Sequence, residues 1–420
     1  MNDKSLSSRP AHSIVENDSQ KPRPHVPKII LKPGRQESVL RKHPWIFSGA
    51  LAHEDLPAEN GGTVDVVDTH GKWLASAAFS PVSQIRARIW SFDKNEMIGP
   101  NFFKCQLQKA FDRRQHLRLS EASNAWRMVN AEADGLPGVV VDRYGDYLSC
   151  QFLSAGAELW KPVIVQKLVE LYNPAGIYER SDSDVRMKEG LEPVKQVLYG
   201  AEPPELLNIH EHGVRYHVTL TQGHKTGFYL DQRENRKQIS RICAKANVLN
   251  CFSYTGGFAM AAFNGGASHI TNIDSSQDAL DLLKQNALLN QIPEESLELI
   301  HGDVFHVLRK FRDQGRTFDV IILDPPKFIE SVRQISQGSR GYKDINLLGF
   351  KLLTPGGTLA TFSCSGHMSP ELFQKIVADS ALDAKRDAQI LQWLSQATDH
   401  MVSLNFPESH YLKGLLCRVD

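Results

Sequence analysis

A chain of 420 residues is too long for one ordinary hydrophobic core, so two or three domains are expected. Hydrophobic residues at 41% and charged residues at 23% are the proportions of a water-soluble globular protein, and no run approaches the 18 consecutive apolar residues that a membrane helix needs. Forty-eight Lys and Arg offset 48 Asp and Glu, so net charge argues neither for nor against nucleic acid, while six cysteines without a C-x-x-C pair argue against a zinc site or a disulfide framework and for a reducing cytoplasm.

Residues 1–26 are polar and proline-dotted with no apolar signal core, which reads as a disordered tail. Residues 27–102 carry short alternating stretches between turn residues, "PKIILKP", "GGTVDVVDTHGKWLASAAFS" and "SQIRARIW", and predict a small β-rich domain. Seven Lys or Arg between Lys21 and His43, among them Lys32, Arg35 and Arg41, face one acid, Glu37. Phosphate binding uses such a footprint, and a solvated arm has the same composition. In "QIRARIW" the alternation sets Arg86 and Arg88 on one strand face and Ile85, Ala87 and Ile89 on the other. That basic face suits RNA phosphates or plain water equally.

Residues 103–220 predict a central α+β domain. A helical stretch, "KCQLQKAFDRRQHLR", precedes two strand-like runs flanking "DRYGD" and the amphipathic "AELWKPVIVQKLVELY". A hairpin follows around Glu211, His212 and Gly213; His210, His212 and His217 have no carboxylate or cysteine to complete a metal set, so no metal is expected.

Residues 221–420 change style to strands alternating with helices, the signature of βαβ units on a parallel sheet. Strands are predicted at "ANVLNCF", "HITNID", "LELIHGD", "FDVIILD" and "GTLATFSC", with a final strand in "HYLKGLLCRVD". One intervening helix starts at Ser369 as N-cap with Pro370 in its first position. Ahead of the first strand, "TQGHKTGFYLDQREN" packs Lys225, Tyr229, Asp231 and Arg233 closely enough to form a pocket wall.

Ligands of such sheets bind outside the carboxyl ends of the strands. Those ends carry a Gly256–Gly257 turn after strand one, Asp274 after strand two, 18 residues beyond Gly256, Asp303 after strand three and "DPPKF" after strand four. The glycine turn is not G-x-G-x-x-G, which weakens a nicotinamide reading. The combination resembles the Rossmann-like S-adenosylmethionine-dependent methyltransferases. That resemblance implies S-adenosylmethionine as cofactor, held by Gly256 with its neighbours Phe252, Tyr254 and Thr255, by Asp274 and by Asp303. Ser275, Val304 and Asp324 at the same strand ends are further candidates, and Lys225, Asp231 and Arg233 of the preceding stretch are expected to close over it from the N-terminal side.

D-P-P after strand four is shared with enzymes that methylate base amines, which usually place an aromatic next; here Lys327 stands there and Phe328 comes one residue late. A cytosine C5, by contrast, gains nucleophilicity only after a nucleophile adds to C6, and a thiolate suits that step. RNA cytosine-C5 methyltransferases carry such a cysteine after strand five in a T-C-S or S-C-S context, where this chain has Ser363, Cys364 and Ser365. The resemblance implies Cys364 as nucleophile; Asp324, facing the same pocket from the neighbouring strand, is the candidate to hold or protonate the N3 edge of the base. Many of those enzymes have a helper cysteine after strand four, and Lys327 occupies that place here.

"GHKTGFYLDQR", "NCFSYTGGFAM", "LDPPKF", "RGYKDIN" and "TFSCSGHMSPELF", in that order, resemble the bacterial ribosomal RNA large-subunit methyltransferases that form 5-methylcytosine in 23S ribosomal RNA. The likeness runs from residue 27 to the C-terminus. It implies an N-terminal PUA domain, 23S ribosomal RNA as partner, and RNA contacts by Lys32, Arg35, Arg41, Arg86 and Arg88. An amine methyltransferase and a non-catalytic RNA-binding assembly factor are the competing readings, and the oligomeric state is left open, a homodimer among the options.

Overall fold

The structure is a computed structural model that describes residues 26–52, 58–223 and 225–420. The expected tail, Val26 apart, lies outside the described residues.

The N-terminal domain contains β1 (Lys28–Ile30), α1 (Glu37–Leu40), β2 (Trp45–Phe47), β3 (Thr63–Val67), β4 (Trp73–Phe79) and β5 (Ile85–Ser91). They form one sheet in the order β1-β3-β4-β5-β2. Period-two alternation sends Ile29, Val64, Val66, Ala75, Ala77, Ala87 and Ile89 into a single core. The opposite side of β5 is covered rather than solvated. Trp90 packs with Phe102 and Phe103 in the next domain's core, and Arg88 is 7% exposed. Arg88 is therefore a correction to the basic RNA face that alternation suggests. Its guanidinium donates to Glu189 at 2.9 Å and Glu132 at 3.2 Å, both in the central domain. Arg86 is half-buried and donates to the carbonyls of Pro81 and Ser80.

The central domain contains α2 (Pro100–Gln115), β6 (Ala125–Asn130), β7 (Val139–Tyr144), β8 (Tyr147–Phe152), α3 (Ala155–Tyr172), β9 (Gly176–Ser181) and β10 (Val194–Gly200). Its sheet order is β10-β9-β8-β7-β6, and Phe103 and Leu107 of α2 and Ile164 and Leu168 of α3 pack with Val141 and Leu148. A hairpin of β11 (Leu207–Glu211) and β12 (Val214–Val218) turns at His212 and Gly213, both with positive φ. Ile209, Val214 and Tyr216 share a core with Val248, Met260 and Leu283 of the domain that follows. The hairpin thus packs with residues beyond 220.

The third domain runs α4 (Arg233–Ser240), β13 (Asn247–Cys251), α5 (Gly257–Asn264), β14 (His269–Asp274), α6 (Gln277–Leu289), β15 (Leu297–His301), α7 (Val304–Asp313), β16 (Phe318–Leu323), α8 (Ile335–Leu352), β17 (Leu353–Ser363), α9 (Pro370–Asp383), β18 (Ala388–Ser395) and β19 (Lys413–Val419). The sheet order is β15-β14-β13-β16-β17-β19-β18, with β13 to β17 parallel and β19 antiparallel to both β17 and β18. This doubly wound sheet matches the predicted strands and adds β18, whose mostly exposed "AQILQWLS" lies at an edge and carries no clean alternation. Ser369 caps α9 as predicted, accepting the Leu372 N–H at 3.1 Å. Among the described residues no helix is long and apolar enough to cross a membrane.

Candidate active site

The parallel strands deliver their C-terminal ends to one edge, and the chain leaving β13 is shaped by left-handed residues. Phe252, Tyr254 and Gly256 have φ of 58°, 46° and 82°. A Cβ on Gly256 would lie 2.6 Å from Leu283 Cγ, so only glycine lets this turn sit against α6. Asp274, ending β14, accepts the N–H groups of Tyr254 at 2.7 Å and Ser276 at 2.9 Å. The acid therefore organises the glycine turn. Beside it opens a cavity of about 460 Å³ whose lining runs from Phe252, Tyr254, Asp274 and Ser275 to Asp324, Lys327 and Cys364. Lys225, Tyr229 and Asp231 of the connecting segment complete its wall.

Charge in this cavity is arranged in opposite senses. Asp231 accepts from Lys225 Nζ at 2.9 Å and Tyr411 Oη at 2.7 Å. Despite burial, these partners hold its carboxyl well below the usual range. Among the described residues no cation is bonded to Asp324; burial first, and the Asp231 charge second, push its pKa up to about 7. Gln232 Nε2 donates to Asp324 at 3.0 Å. Burial also raises the Cys364 thiol, opposed chiefly by Lys225.

The serines beside Cys364 have a structural job. Ser363 Oγ donates to Tyr342 Oη at 2.9 Å, Ser365 Oγ lies 3.1 Å from that phenol, and the Ile329 N–H donates to Ser365 Oγ at 3.2 Å. Tyr342, from "RGYKDIN" in α8, thus pins both flanks of the cysteine and leaves Cys364 half-exposed to the cavity. The wall segment is braced from the central domain. Arg180 donates to the carbonyls of Leu220 and Gly223, each at 2.6 Å, while the Phe228 N–H donates to Tyr144 Oη at 3.0 Å. Thr226 donates to Asp142, which takes both sides of the Arg127 guanidinium at 2.8 and 2.9 Å.

A family model described as S-adenosylmethionine-dependent methyltransferase matches residues 192–392, and one described as PUA-like domain matches residues 29–92. Ribosomal RNA large subunit methyltransferase I of Cronobacter sakazakii is 52% identical over 392 residues, covering 93% of this chain and 99% of that protein. Its namesake in Aliivibrio fischeri is 52% identical over 391 residues, with the same coverage. The chain belongs to the ribosomal RNA large subunit methyltransferase I family. Among solved structures, a sam-dependent methyltransferase from Streptococcus mutans superposes with a TM-score of 0.81 at 26% identity. A methyltransferase complexed with SAH gives 0.83 at 26%; both cover 93% of this chain and 100% of the other.

Membership of this family makes S-adenosylmethionine the cofactor, and the residues at the strand ends fit it. Phe252, Ser253 and Tyr254 after β13, Gly257 at the start of α5 and the Asp274 carboxylate line one side of the cavity, where the buried Ser253 Oγ has no hydrogen-bond partner among the described residues. Phe252, Tyr254, Asp274, Ser275, Asp324, Lys225 and Asp231 line the cavity together with Lys327 and Cys364. Thr255 and Gly256 shape the turn behind that wall. Asp303 is exposed and caps α7, accepting the His306 N–H at 2.9 Å, and Val304 is buried in the core beneath that helix. Arg233 is a correction: it is 1% exposed and points away, giving both terminal nitrogens to Asp399 at 2.9 and 3.1 Å. One helical turn on, Arg236 reaches the cavity lining instead and pairs with Glu211. Lys32, Arg35 and Arg41 are exposed on the PUA-like domain. Gln232, Tyr342, Tyr411 and Lys413 escaped sequence reasoning, because their roles depend on partners 21 to 180 residues away.

Proposed function

We propose that this cytoplasmic protein methylates C5 of a cytosine in 23S ribosomal RNA through a covalent bond between Cys364 Sγ and C6 of the base. The observation that carries this reading is the convergence of Cys364 and Asp324, from adjacent strand ends, on the cavity that Asp274 also lines. S-adenosylmethionine, when held by Phe252, Tyr254, Asp274 and Ser275, supplies an electrophilic methyl group. The thiolate of Cys364 adds to C6, the ring π electrons shift so that C4 and C5 become doubly bonded, and Asp324 delivers a proton to N3. C5 is then an enamine carbon able to form its bond to the methyl group. Loss of the C5 proton to a base restores the C5–C6 double bond, expels the Cys364 thiolate and lets Asp324 take back the N3 proton. A carboxyl with a pKa of about 7 suits both proton transfers near neutral pH. Lys327, exposed beside the cavity, assists release where other enzymes of this chemistry place a second cysteine.

The amine reading loses support at Phe328. Its ring lies 4.8 Å from Tyr342 and 5.9 Å from Phe305, packed against the core and outside the cavity lining, so it offers no stacking platform to a base. Lys32, Arg35 and Arg41 bind the RNA backbone from the PUA-like domain. A 23S fragment carrying 5-fluorocytosine tests the proposal, because fluorine does not leave as a proton. Wild-type protein should form a denaturation-resistant adduct and Cys364→Ala none, and nucleoside mass spectrometry should find 5-methylcytosine. Methylation by Cys364→Ala at the wild-type rate would refute covalent catalysis.

A further inference from the structure

Antiparallel pairing of β17 and β19 sets Lys413 opposite Ser363, one residue before the cysteine. Lys413 is 5% exposed, an unusual place for an ammonium group. Its Nζ donates to the carbonyls of Ser365 at 2.8 Å and Tyr411 at 2.7 Å, so it ties down the turn that presents Cys364. Among the described residues it forms no ion pair with a carboxylate, although buried charges are ordinarily paired. The ionisable group of opposite sign that acts on it is the thiol of Cys364.

We propose that Lys413 is the positioning residue that makes Cys364 reactive, holding its loop through two carbonyls and stabilising its thiolate with a buried positive charge. This rests on the reading of Cys364 as the nucleophile. Of the other groups facing the thiol, Lys225 also favours its ionisation, but that ammonium is shared with the Asp231 carboxylate. Tyr229 comes from the same connecting segment. Asp324 after β16 opposes ionisation, as Asp231 does, and Tyr342 of α8 is a phenol committed to the serines. Lys327 faces Lys413 as a second cation and is exposed to water. Burial brings the Lys413 ammonium down to about 8, so at neutral pH it keeps its charge beside the turn that carries Cys364, and the thiol proton leaves to solvent as the thiolate forms.

Iodoacetamide alkylation of the full-length protein, followed across pH by mass spectrometry of the Cys364 peptide, tests this without RNA. The exposed Cys105 serves as an internal reference. Lys413→Gln keeps a donor for the carbonyls and removes the charge; Lys413→Arg keeps the charge. The midpoint of Cys364 alkylation should rise by about one pH unit or more in Lys413→Gln, the size expected for losing an adjacent opposite charge, and stay near wild type in Lys413→Arg. The pH profile of single-turnover methyl transfer should move with it. An unchanged midpoint in Lys413→Gln, or an equal shift in both variants, would overturn the proposal; should Lys413→Gln not fold, Lys413→Met makes the same comparison. Methylation by Cys364→Ala would refute the nucleophile reading instead, leaving the alkylation midpoints to be judged separately.

Discussion

The side-chain amide of Gln232 donates to Oδ1 of Asp324 at 3.0 Å, so the connecting segment directly holds the acid at the end of β16. That bond favours the ionised carboxylate and opposes the upward push of burial and Asp231. The proposed mechanism requires Asp324 protonated and Cys364 ionised. Below pH about 7 Asp324 is protonated and the single-turnover rate should climb about tenfold per unit with the thiolate fraction; above it, loss of the proton cancels the gain and a plateau follows. Gln232→Leu should move the break upward by about one unit. A break that stays in place would show that another group sets it.

Asp399 is fully buried and accepts both Arg233 terminal nitrogens, the Arg127 N–H at 2.8 Å and His400 Nδ1 at 3.0 Å. Asp399→Ala removes the buried carboxylate from both terminal nitrogens of Arg233, leaving only Glu234 at its Nε, and should cost about 3 kcal/mol, read from urea unfolding. These partners depress the Asp399 pKa in the folded protein. Its contribution is therefore full above the unfolded value of about 4 and is lost as pH falls below it.

Gly256→Val forces a branched side chain onto a φ of 82° and into Leu283. S-adenosylmethionine affinity, measured by calorimetry, should fall at least about tenfold, and stability by about 1–3 kcal/mol. Unchanged affinity would remove the glycine turn from the cofactor wall.

The basic residues of the PUA-like domain should separate into two classes. Lys32→Ala, Arg35→Ala and Arg41→Ala together should weaken RNA binding and reduce the salt dependence by about two units of log-log slope, with thermal stability unchanged. Arg88→Ala should instead lower stability by about 3 kcal/mol, because it strands Glu189 and Glu132 at the domain boundary. Loss of RNA affinity in Arg88→Ala without loss of stability would contradict its structural assignment.

Local chemistry written in the sequence settled much of this protein. Strand–helix alternation, the Ser369–Pro370 helix start and the acids after successive strands depend on near neighbours, and the sheet, Asp274 and Asp324 stand where those patterns put them. "DPPKF" and "SCS" likewise marked two strand ends that meet in one cavity. Alternation could not say what covers the second face of a strand, and so Arg88 read as a surface arginine until the central domain closed over it. Clustering along the chain likewise drew Arg233 into the pocket, although helical geometry turns it toward Asp399 and sends Arg236 inward. The partners of Cys364 lay furthest from view: Tyr342 and Lys413 reach its flanks from α8 and from the last strand. Sequence determines which side chains stand at strand ends, since that follows from period and turn chemistry. Charge state and orientation belong to the tertiary structure, because burial and long-range pairing set the fields around Asp231, Asp324 and Cys364.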